Sequence, residues 1–456
     1  MKTVRQAGAQ LDQAGLSARD LALQAFSSIR APDGEGARAF VRVYNDSALA
    51  AAQQTDDDLR TAGKRRSPLA GIPVSIKDLF DVAGGRTYAG SRVLAQTPRA
   101  EEDAIVVQRL RASGAVIMGR TNMTEFAYSG LGINSHYGTP LNPYRRHEAR
   151  IPGGSSSGAA VSVSDGMALG AVATDTGGSA RIPAAFCGLT GFKPTASRIP
   201  LAGAYPLSPS LDSVGSIGAT VECCALLDAV MAGIAWQAPR QSSDGASLRL
   251  GMVMNYVMDD LDPQVAKAYE NAMATLSHNG VRIEPVHFPE LQELPEINRQ
   301  GGFPAYESYR HQAGLVASHA HEYDPRVLSR ILRGQAMSDT DYMRLRKQRS
   351  DLIARTHSRF EGFDALISPT VPIVAPLLAD CEDDDNYSRL NLLTLRNPSI
   401  VNFLDGCALS LPCHEPGLAP VGLMLFQQGG FDHQLLTVAY IVERILHFHK
   451  PPADAR

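Results

Sequence analysis

The sequence of 456 residues has few cysteines, few aromatic side chains, a single tryptophan and no large excess of either charge. Its six cysteines show no C-x-x-C spacing, which argues against a disulfide framework and favours reduced, mostly buried thiols in a cytoplasmic protein. The formal net charge of -4, from 43 basic and 47 acidic side chains, argues against a nucleic-acid groove or an acidic-membrane surface as the main binding site.

Long apolar runs are absent as well. The segment Met1 to Gln13 contains early cations with no apolar stretch behind them, and no uninterrupted apolar run approaches the roughly 18 residues of a membrane span. We therefore expect neither secretion nor a membrane segment. Small or neutral substrates fit this composition better than polyanions do.

Helical periodicity dominates the first 65 residues, and strands and helices alternate after it. The predicted helices of this part lie over 18–26, 48–59 and 104–110. One predicted strand lies within the segment 71–78 and ends at Lys77, and another lies over 115–119. Such alternation predicts an α/β fold, a sheet with helices on its faces. The length fits either about three domains or one large α/β domain with insertions.

The alternating pattern restarts near residue 245. We predict strands over 248–254 and 281–286, a helix from Asp262 to His278, a long polar helix from Ser338 to Phe360, and a buried run at 365–368. The acidic cluster 382–385 is interpreted as a solvated loop, with a carboxylate metal site as the alternative.

Residues 153–180 consist mostly of Gly, Ser, Ala and Thr, interleaved with apolar residues such as Val161 and Val172. A flexible Gly/Ser linker lacks such interleaving, so this segment is predicted to be packed. Small side chains allow two backbones to approach closely, which suits tight turns and contact with a substrate.

Three features of the sequence carry candidate chemistry, and each also has an ordinary structural explanation. Lys77 could be a surface lysine at a strand end, and the Gly177-Gly178 pair could be a turn. The run 153–158 contains a G-x-S-x-G match centred on Ser156, which would be the nucleophile elbow of an α/β-hydrolase. That alternative does not account for the second Gly-Gly-Ser at 177–179. The sequence offers no phosphate-loop motif and no zinc spacing among its 12 histidines.

Three stretches closely resemble the amidase signature family: Gly-Ile-Pro-Val-Ser-Ile-Lys-Asp at 71–78, Gly-Gly-Ser-Ser-Ser-Gly at 153–158, and the segment 175–195 from Asp175 to Thr195. The resemblance extends to 119–123 and 420–423, and is weak over about 245–360. It implies one amidase signature domain over 1–456, an α/β/α layered structure around a mixed sheet, with a variable region at about 245–360.

The resemblance places the family's Ser-cisSer-Lys triad on Ser179, Ser155 and Lys77. It implies that Ser179 attacks the acyl carbon, that a cis peptide bond joins Gly154 to Ser155, and that Lys77 accepts the proton relayed through Ser155. The chemistry is coherent, because a serine hydroxyl needs an adjacent base, and a lysine can be that base only when burial lowers its pKa. No cofactor and no metal are expected.

Further roles follow from the same resemblance. The backbone of Thr176, Gly177 and Gly178 is expected to form the oxyanion hole, since glycines let successive N–H groups converge. Supporting roles are assigned to Gly154, Ser156, Ser157, Asp175 and Arg181; binding of an anionic substrate is the alternative for Arg181.

The acyl pocket is expected at Phe126, Ala127 and Tyr128, with plain core packing as the alternative for each. An aromatic wall there would suit a hydrophobic or aryl acyl group. Trp236 is interpreted as a core residue.

Three functions compete. The first is an amidase that hydrolyses a small-molecule carboxamide, with anilide, carbamate or ester hydrolysis as variants on the same fold. The second is the A subunit of a glutamyl-tRNA(Gln) amidotransferase, whose usual Asn-Met-Asp-Glu-Phe is here Asn-Met-Thr-Glu-Phe at 122–126. The third, a non-catalytic binding module, is disfavoured by the intact triad. We expect a small-molecule amide as the partner, no nucleic acid or membrane, and leave a homodimer open.

Overall fold

Short strands alternate with helices along most of the chain. The computed structural model describes residues 1–237 and 248–448. Its strands are β1 (Phe40–Val43), β2 (Pro73–Lys77), β3 (Val116–Thr121), β4 (Gly170–Thr174), β5 (Thr190–Lys193), β6 (Val214–Gly218), β7 (Arg249–Val253), β8 (Arg282–Val286), β9 (Ala365–Pro369), β10 (Cys407–Pro412) and β11 (Gly422–Gln427). Its helices are α1 (Val4–Asp12), α2 (Ala18–Ile29), α3 (Gly36–Ala39), α4 (Asn45–Ala62), α5 (Ile105–Ser113), α6 (Ser157–Ser164), α7 (Arg181–Cys187), α8 (Val221–Ala232), α9 (Pro263–His278), α10 (Leu294–Ile297), α11 (Gly302–His319), α12 (Pro325–Leu332), α13 (Asp339–Thr356), α14 (Asp384–Phe403) and α15 (Asp432–Phe448).

Within the described ranges, 11 strands form one mixed sheet in the order β1-β3-β2-β4-β6-β5-β10-β11-β9-β7-β8. The strands β3, β2 and β4 run parallel to one another, and so do β9, β7 and β8. The strands between these groups pair antiparallel. Because β2 and β4 are parallel neighbours, the loops that follow them leave the sheet at the same edge.

Helices cover both faces of the sheet, as the predicted α/β fold requires. Along β11, Leu423 and Leu425 belong to one apolar cluster, with residues of α8, α9 and α15. The alternate residues Met424 and Phe426 belong to a second cluster, with residues of α11, α13 and α14. Side chains alternate between the two faces of a strand, so a strand covered on both faces is apolar throughout.

Most predicted elements are confirmed with shifts of one to three residues at their ends. Ser17 caps α2, and Asp262 caps α9. Strand β2 ends at Lys77. The predicted polar helix 338–360 is α13, capped by Ser338 and followed by a 3-10 turn at His357–Phe360. The first residues of the region predicted to vary, 245–247, lie outside the described residues.

Two expectations need correction. The first 65 residues are not wholly helical, because Phe40–Val43 forms the edge strand β1 and pairs with β3. The acidic cluster is not simply a loop: Asp383 caps α14, and Asp384 pairs with Arg326 at 2.6 Å. The segment 153–180 is buried over nearly its whole length, as its composition predicts, and it contains α6 and β4.

The cysteines behave as their sparse usage predicted. All six lie within the described residues, and each is a buried thiol outside any disulfide. Trp236 is partly buried against the largest apolar cluster, as expected of a core residue. No helix of the two described ranges has the length and apolar character needed to cross a lipid bilayer.

Candidate active site

Lys77 ends β2 at the sheet edge where the loops after β2 and β4 emerge. Its side chain is fully buried. The Nζ atom donates to Ser155 Oγ at 2.7 Å and to Thr174 Oγ1, at the end of β4, at 2.9 Å. The parallel pairing of β2 with β4 therefore brings the two ends together and holds the amine beside Ser155.

The electrostatic surroundings of Lys77 favour its neutral form. Burial lowers the pKa of Lys77 to about 7, and the carboxylates of Asp175 and Asp212 only partly oppose that shift. A lysine in water has a pKa of about 10.4, so almost none of it is neutral at pH 7. In this site a large fraction of the amine is uncharged at neutral pH.

The peptide bond between Gly154 and Ser155 is cis, as the resemblance implies. Backbone hydrogen bonds hold the segment on both sides: Gly154 N donates to the Gly130 carbonyl at 2.8 Å, and Thr124 N donates to the Ser155 carbonyl at 3.0 Å. A Cβ atom at Gly154 would lie 2.5 Å from Gly132 N, so only glycine fits there.

Ser179 lies in the loop between β4 and α7 and lines a large cavity. Its carbonyl accepts a hydrogen bond from Ser156 N at 3.3 Å, which ties this loop to the Ser155 segment. Within the part of the chain that the structure describes, the Ser179 hydroxyl makes no hydrogen bond. The structure thus contains the Lys77–Ser155 hydrogen bond of the expected relay, and Ser155 and Ser179 are not hydrogen-bonded to each other.

Asp175 organises the Ser179 loop. Its carboxylate accepts from Gly178 N at 2.8 Å and from Ala180 N at 3.1 Å, and pairs with Arg181 through Nη2 at 2.8 Å and Nε at 3.0 Å. Burial raises the pKa of Asp175, but the charge and hydrogen bonds of Arg181 outweigh burial and hold that pKa well below its usual range. Asp175 is therefore an anion at neutral pH.

Arg181 supports the loop and is not placed to bind an anionic substrate. Its side chain is fully buried, and Nη2 also donates to Asn402 Oδ1 at 2.7 Å. Asn402 in turn donates to the Asp175 carbonyl at 2.9 Å. The guanidinium is thus neutralised by Asp175 and shielded from solvent, which rules out the anion-binding alternative.

One of the three expected oxyanion donors needs correction. The Gly178 N–H is hydrogen-bonded to Asp175, so it is not free for a substrate oxygen. Glycine is required there for another reason, because its φ is +125° and a Cβ atom would lie 2.7 Å from Ile182 and Pro398. Within the described residues, the N–H groups of Thr176, Gly177 and Ser179 have no acceptor, and all three residues line the cavity.

The serines after Ser155 differ from each other. Ser156 is buried at the start of α6, and its hydroxyl donates to the Thr174 carbonyl at 3.4 Å. No histidine in the described residues is hydrogen-bonded to the Ser156 hydroxyl, which argues against a nucleophile elbow. The buried Ser157 hydroxyl has no partner in the described parts of the chain, so the expectation that it supports the network through hydrogen bonds is wrong.

The cavity has a volume of about 1150 Å³, enough for a small-molecule substrate. Ala127 and Tyr128 line it, as expected of an acyl pocket. Phe126 does not: it is 1% exposed, and its ring packs against Tyr205 at 5.4 Å and Tyr323 at 5.3 Å between centroids. Phe126 and Ala127 both adopt positive φ. No helix-capping or turn pattern in the sequence predicts this backbone conformation.

Sequence reasoning missed Thr174, Asn402 and the arginines that line the cavity. Thr174 could have been found, since it ends a strand beside the strand of Lys77. Asn402 and the cavity arginines come from segments more than 100 residues away in the chain, and no local motif marks them.

Comparisons with known proteins identify the family of this chain. A family model described as Amidase matches residues 30–436. The chain belongs to the amidase family. An amidase hydrolyses a C–N bond of an amide, and the large mixed sheet flanked by helices is the fold of solved amidases.

Individual amidase relatives differ in what their names say. The chain is 36% identical over 411 residues to the 2-amino-5-chloromuconic acid deaminase of Comamonas testosteroni, covering 89% of this chain and 88% of the relative. It is 31% identical to the A subunit of the glutamyl-tRNA(Gln) amidotransferase of Chromohalobacter salexigens, covering 99% and 98%. The crystal structure of the peptide amidase PAM in complex with the inhibitor chymostatin superposes with a TM-score of 0.83 at 26% identity, covering 99% of each chain.

Proposed function

We propose that this amidase hydrolyses a small-molecule carboxamide to a carboxylate and an amine or ammonia through an acyl-enzyme on Ser179. Lys77 is the base, Ser155 relays the proton, and the N–H groups of Thr176, Gly177 and Ser179 bind the oxyanion. One observation carries the proposal: a buried lysine with a pKa of about 7 donates to the hydroxyl of Ser155, in the segment tied to the Ser179 loop.

The reaction proceeds in two halves. Ser179 Oγ bonds to the acyl carbon while its proton passes to Ser155, whose own proton passes to neutral Lys77. The tetrahedral oxyanion is bound by backbone N–H groups, which need no reorganisation as charge develops. The C–N bond then breaks, and the proton returns from Lys77 through Ser155 to the leaving nitrogen. A water molecule repeats these steps on the ester and releases the acid.

The surroundings of Lys77 suit both directions of proton transfer. A group with a pKa near the working pH accepts and returns a proton at comparable cost. The carboxylates of Asp175 and Asp212 favour the charged form and thereby keep the amine from losing its basicity altogether. The same site could cleave an aryl amide, a carbamate or an ester, because each presents an acyl carbon to Ser179.

The amidotransferase role is the second candidate, because the chain matches the A subunits of such enzymes over nearly its whole length. We favour the hydrolase, because the relative named as a deaminase of a small acid is more similar, at 36% identity, and the net charge of -4 provides no strong surface for tRNA. We also propose that the enzyme works in the cytoplasm and needs no cofactor, and we leave a homodimer open.

The test uses the purified chain alone. We expect it to release ammonia or amine from simple amides without ATP, glutamine or tRNA, and Ser179→Ala to reduce kcat by about 10⁴-fold or more. A fluorophosphonate probe should label Ser179, as read by peptide mapping.

Ser164→Ala is the matched control, because Ser164 lies on α6 with its hydroxyl bonded to the Val161 carbonyl, away from the cavity. It should keep full activity. A label on Ser156 would contradict the assigned nucleophile, and activity that appears only with tRNA and partner proteins would favour the amidotransferase.

A further inference from the structure

Arginines make up most of the charged side chains that line the cavity of Ser179. Within the described ranges, five arginines and two carboxylates line the cavity. The arginine group comprises Arg299, Arg330, Arg333, Arg389 and Arg396, and the acids are Asp260 and Asp262. A catalytic site for a neutral amide does not need this charge.

Both carboxylates already have a partner within the protein. Asp260 lies 3.8 Å from Arg396, and Asp262 caps α9 by accepting from Gln264 N at 2.7 Å. Arg299 pairs with Glu296 at 3.1 Å.

Three members of the arginine group remain without an acidic partner among the described residues: Arg330, Arg333 and Arg389. Arg333 donates to the Arg299 carbonyl at 2.7 Å, and Arg389 to Asn386 Oδ1 at 2.8 Å. Their charges are therefore not neutralised within the described protein.

Of these three, Arg330 is the one hydrogen-bonded to the backbone of the expected acyl pocket. Its Nη1 donates to the carbonyl of Tyr128 at 3.0 Å, and its guanidinium lies 5.0 Å from the centre of the Tyr387 ring. The Tyr387 hydroxyl donates to Ser129 Oγ at 2.9 Å. Tyr128 and Ser129 line the same cavity as Ser179, so the guanidinium is held in place before a substrate arrives.

We propose that the acyl part of the substrate carries an anionic group, of which a carboxylate is the simplest, and that Arg330 binds it. The substrate class is then the monoamide of a dicarboxylic acid. Arginine suits this role, because its planar donors match the two oxygens of a carboxylate. Arg333, three residues further along, adds positive charge on the same side. This inference rests on the proposed amidase activity and makes Arg330 a specificity residue.

The test compares two amides of similar size that differ in charge: glutaramic acid, which carries a carboxylate, and valeramide, which does not. We expect wild-type kcat/KM to favour glutaramic acid by about 10-fold or more, the range of a hydrogen bond to a charged group. Arg330→Gln should remove most of this preference, mainly through a higher KM. Arg330→Lys should retain part of it, because lysine keeps the charge and loses the planar fork.

Arg310→Gln is the matched control. Arg310 also lies over a tyrosine ring, that of Tyr306 at 5.1 Å, but it does not line the cavity. Its preference for glutaramic acid should equal that of the wild type. Because Arg330→Gln also removes the hydrogen bond to Tyr128, Arg333→Gln provides a second variant, with a smaller loss of preference in the same direction.

A second measurement does not depend on turnover. Glutarate should slow fluorophosphonate labelling of Ser179 in the wild type and do so about 10-fold less effectively in Arg330→Gln. Equal use of both amides by the wild type, or equal loss on both in Arg330→Gln, would overturn the inference and leave the amidase proposal standing. Failure of every amide, with no labelling of Ser179, would instead overturn the proposed function itself.

Discussion

The two sides of the cavity differ in how their polar groups are satisfied. On the Ser179 side, Lys77, Asp175 and Arg181 are fully buried, and each is bonded to a neighbour from this part of the sheet edge. On the side formed by the arginine group, Arg333 and Arg389 are exposed and have no carboxylate partner in the described residues. The first side is a closed network and the second is an open one.

We expect the closed network to serve the reaction and the open one to select the substrate. A buried network with its partners in place has a single low-energy arrangement, which suits groups that must transfer a proton at a fixed distance. Exposed charges without partners are available to a ligand, and they can change without disturbing the core. We therefore expect substitutions on the first side to affect every substrate and those on the second side to affect some.

The largest expected effect on the closed side is at the base. Lys77→Met should reduce kcat by about 10⁴-fold or more on all amides, because it removes the amine that is hydrogen-bonded to Ser155 Oγ. The midpoint of thermal unfolding should stay the same or rise, because the variant no longer buries an ionisable amine. Kinetics and thermal unfolding at pH 7 measure the two effects.

Lys193→Met is the matched comparison, because Lys193 is also a buried lysine, but its Nζ donates to the carbonyls of Pro194 and Gly406. It should keep its activity and lose about 1–3 kcal/mol of stability, because two carbonyls lose their donor. A large loss of stability in Lys77→Met with activity retained would show that Lys77 is structural.

A smaller effect on activity is expected at Asp175. Asp175→Asn leaves Arg181 buried without its counter-charge, which should cost about 3–5 kcal/mol of unfolding free energy. Loss of the acceptor for Gly178 N should also loosen the Ser179 loop and reduce kcat by about 100-fold, the scale set by a misplaced catalytic group. Urea unfolding and kinetics measure these losses.

The control is Asp165→Asn, which breaks a partly exposed pair with Arg146. Exposed pairs contribute at most about 1 kcal/mol, so this variant should remain close to the wild type. Equal losses in the two variants would contradict the role of Asp175 in holding the Ser179 loop.

The smallest expected effect is the pH dependence. Because the base acts when neutral and the pKa of Lys77 is about 7, kcat/KM should fall about tenfold per pH unit below that value and level off above it. Valeramide is the suitable substrate, since it does not titrate in this range. Circular dichroism at each pH shows whether the fold is intact, and a flat profile from pH 5.5 to 8.5 in folded protein would contradict the assignment of Lys77 as the base.

Local sequence patterns were sufficient for most of the elements, whereas the triad positions came from the resemblance to the amidase signature family and stay a prediction. Capping residues such as Ser17 and Asp262 and the strand ending at Lys77 are short-range signals, and the structure confirms them. The error at β1 arose because a four-residue edge strand has too few positions to show a period. One domain over 1–456, with a variable region at about 245–360, stays a prediction.

The chain's own order of residues determined the candidate reactive groups: a lysine at a strand end, and two runs of small residues that tolerate close backbone approach. Only the tertiary structure decided which N–H groups are free, that Phe126 packs into the core, and that Arg330 lines the same cavity as Ser179. Those outcomes depend on contacts between residues far apart in the chain, such as Arg330 with Tyr128 and Asn402 with Asp175. Periodicity reports on neighbours within a few residues, and burial of a charge or a ring is decided by the segments that pack over it.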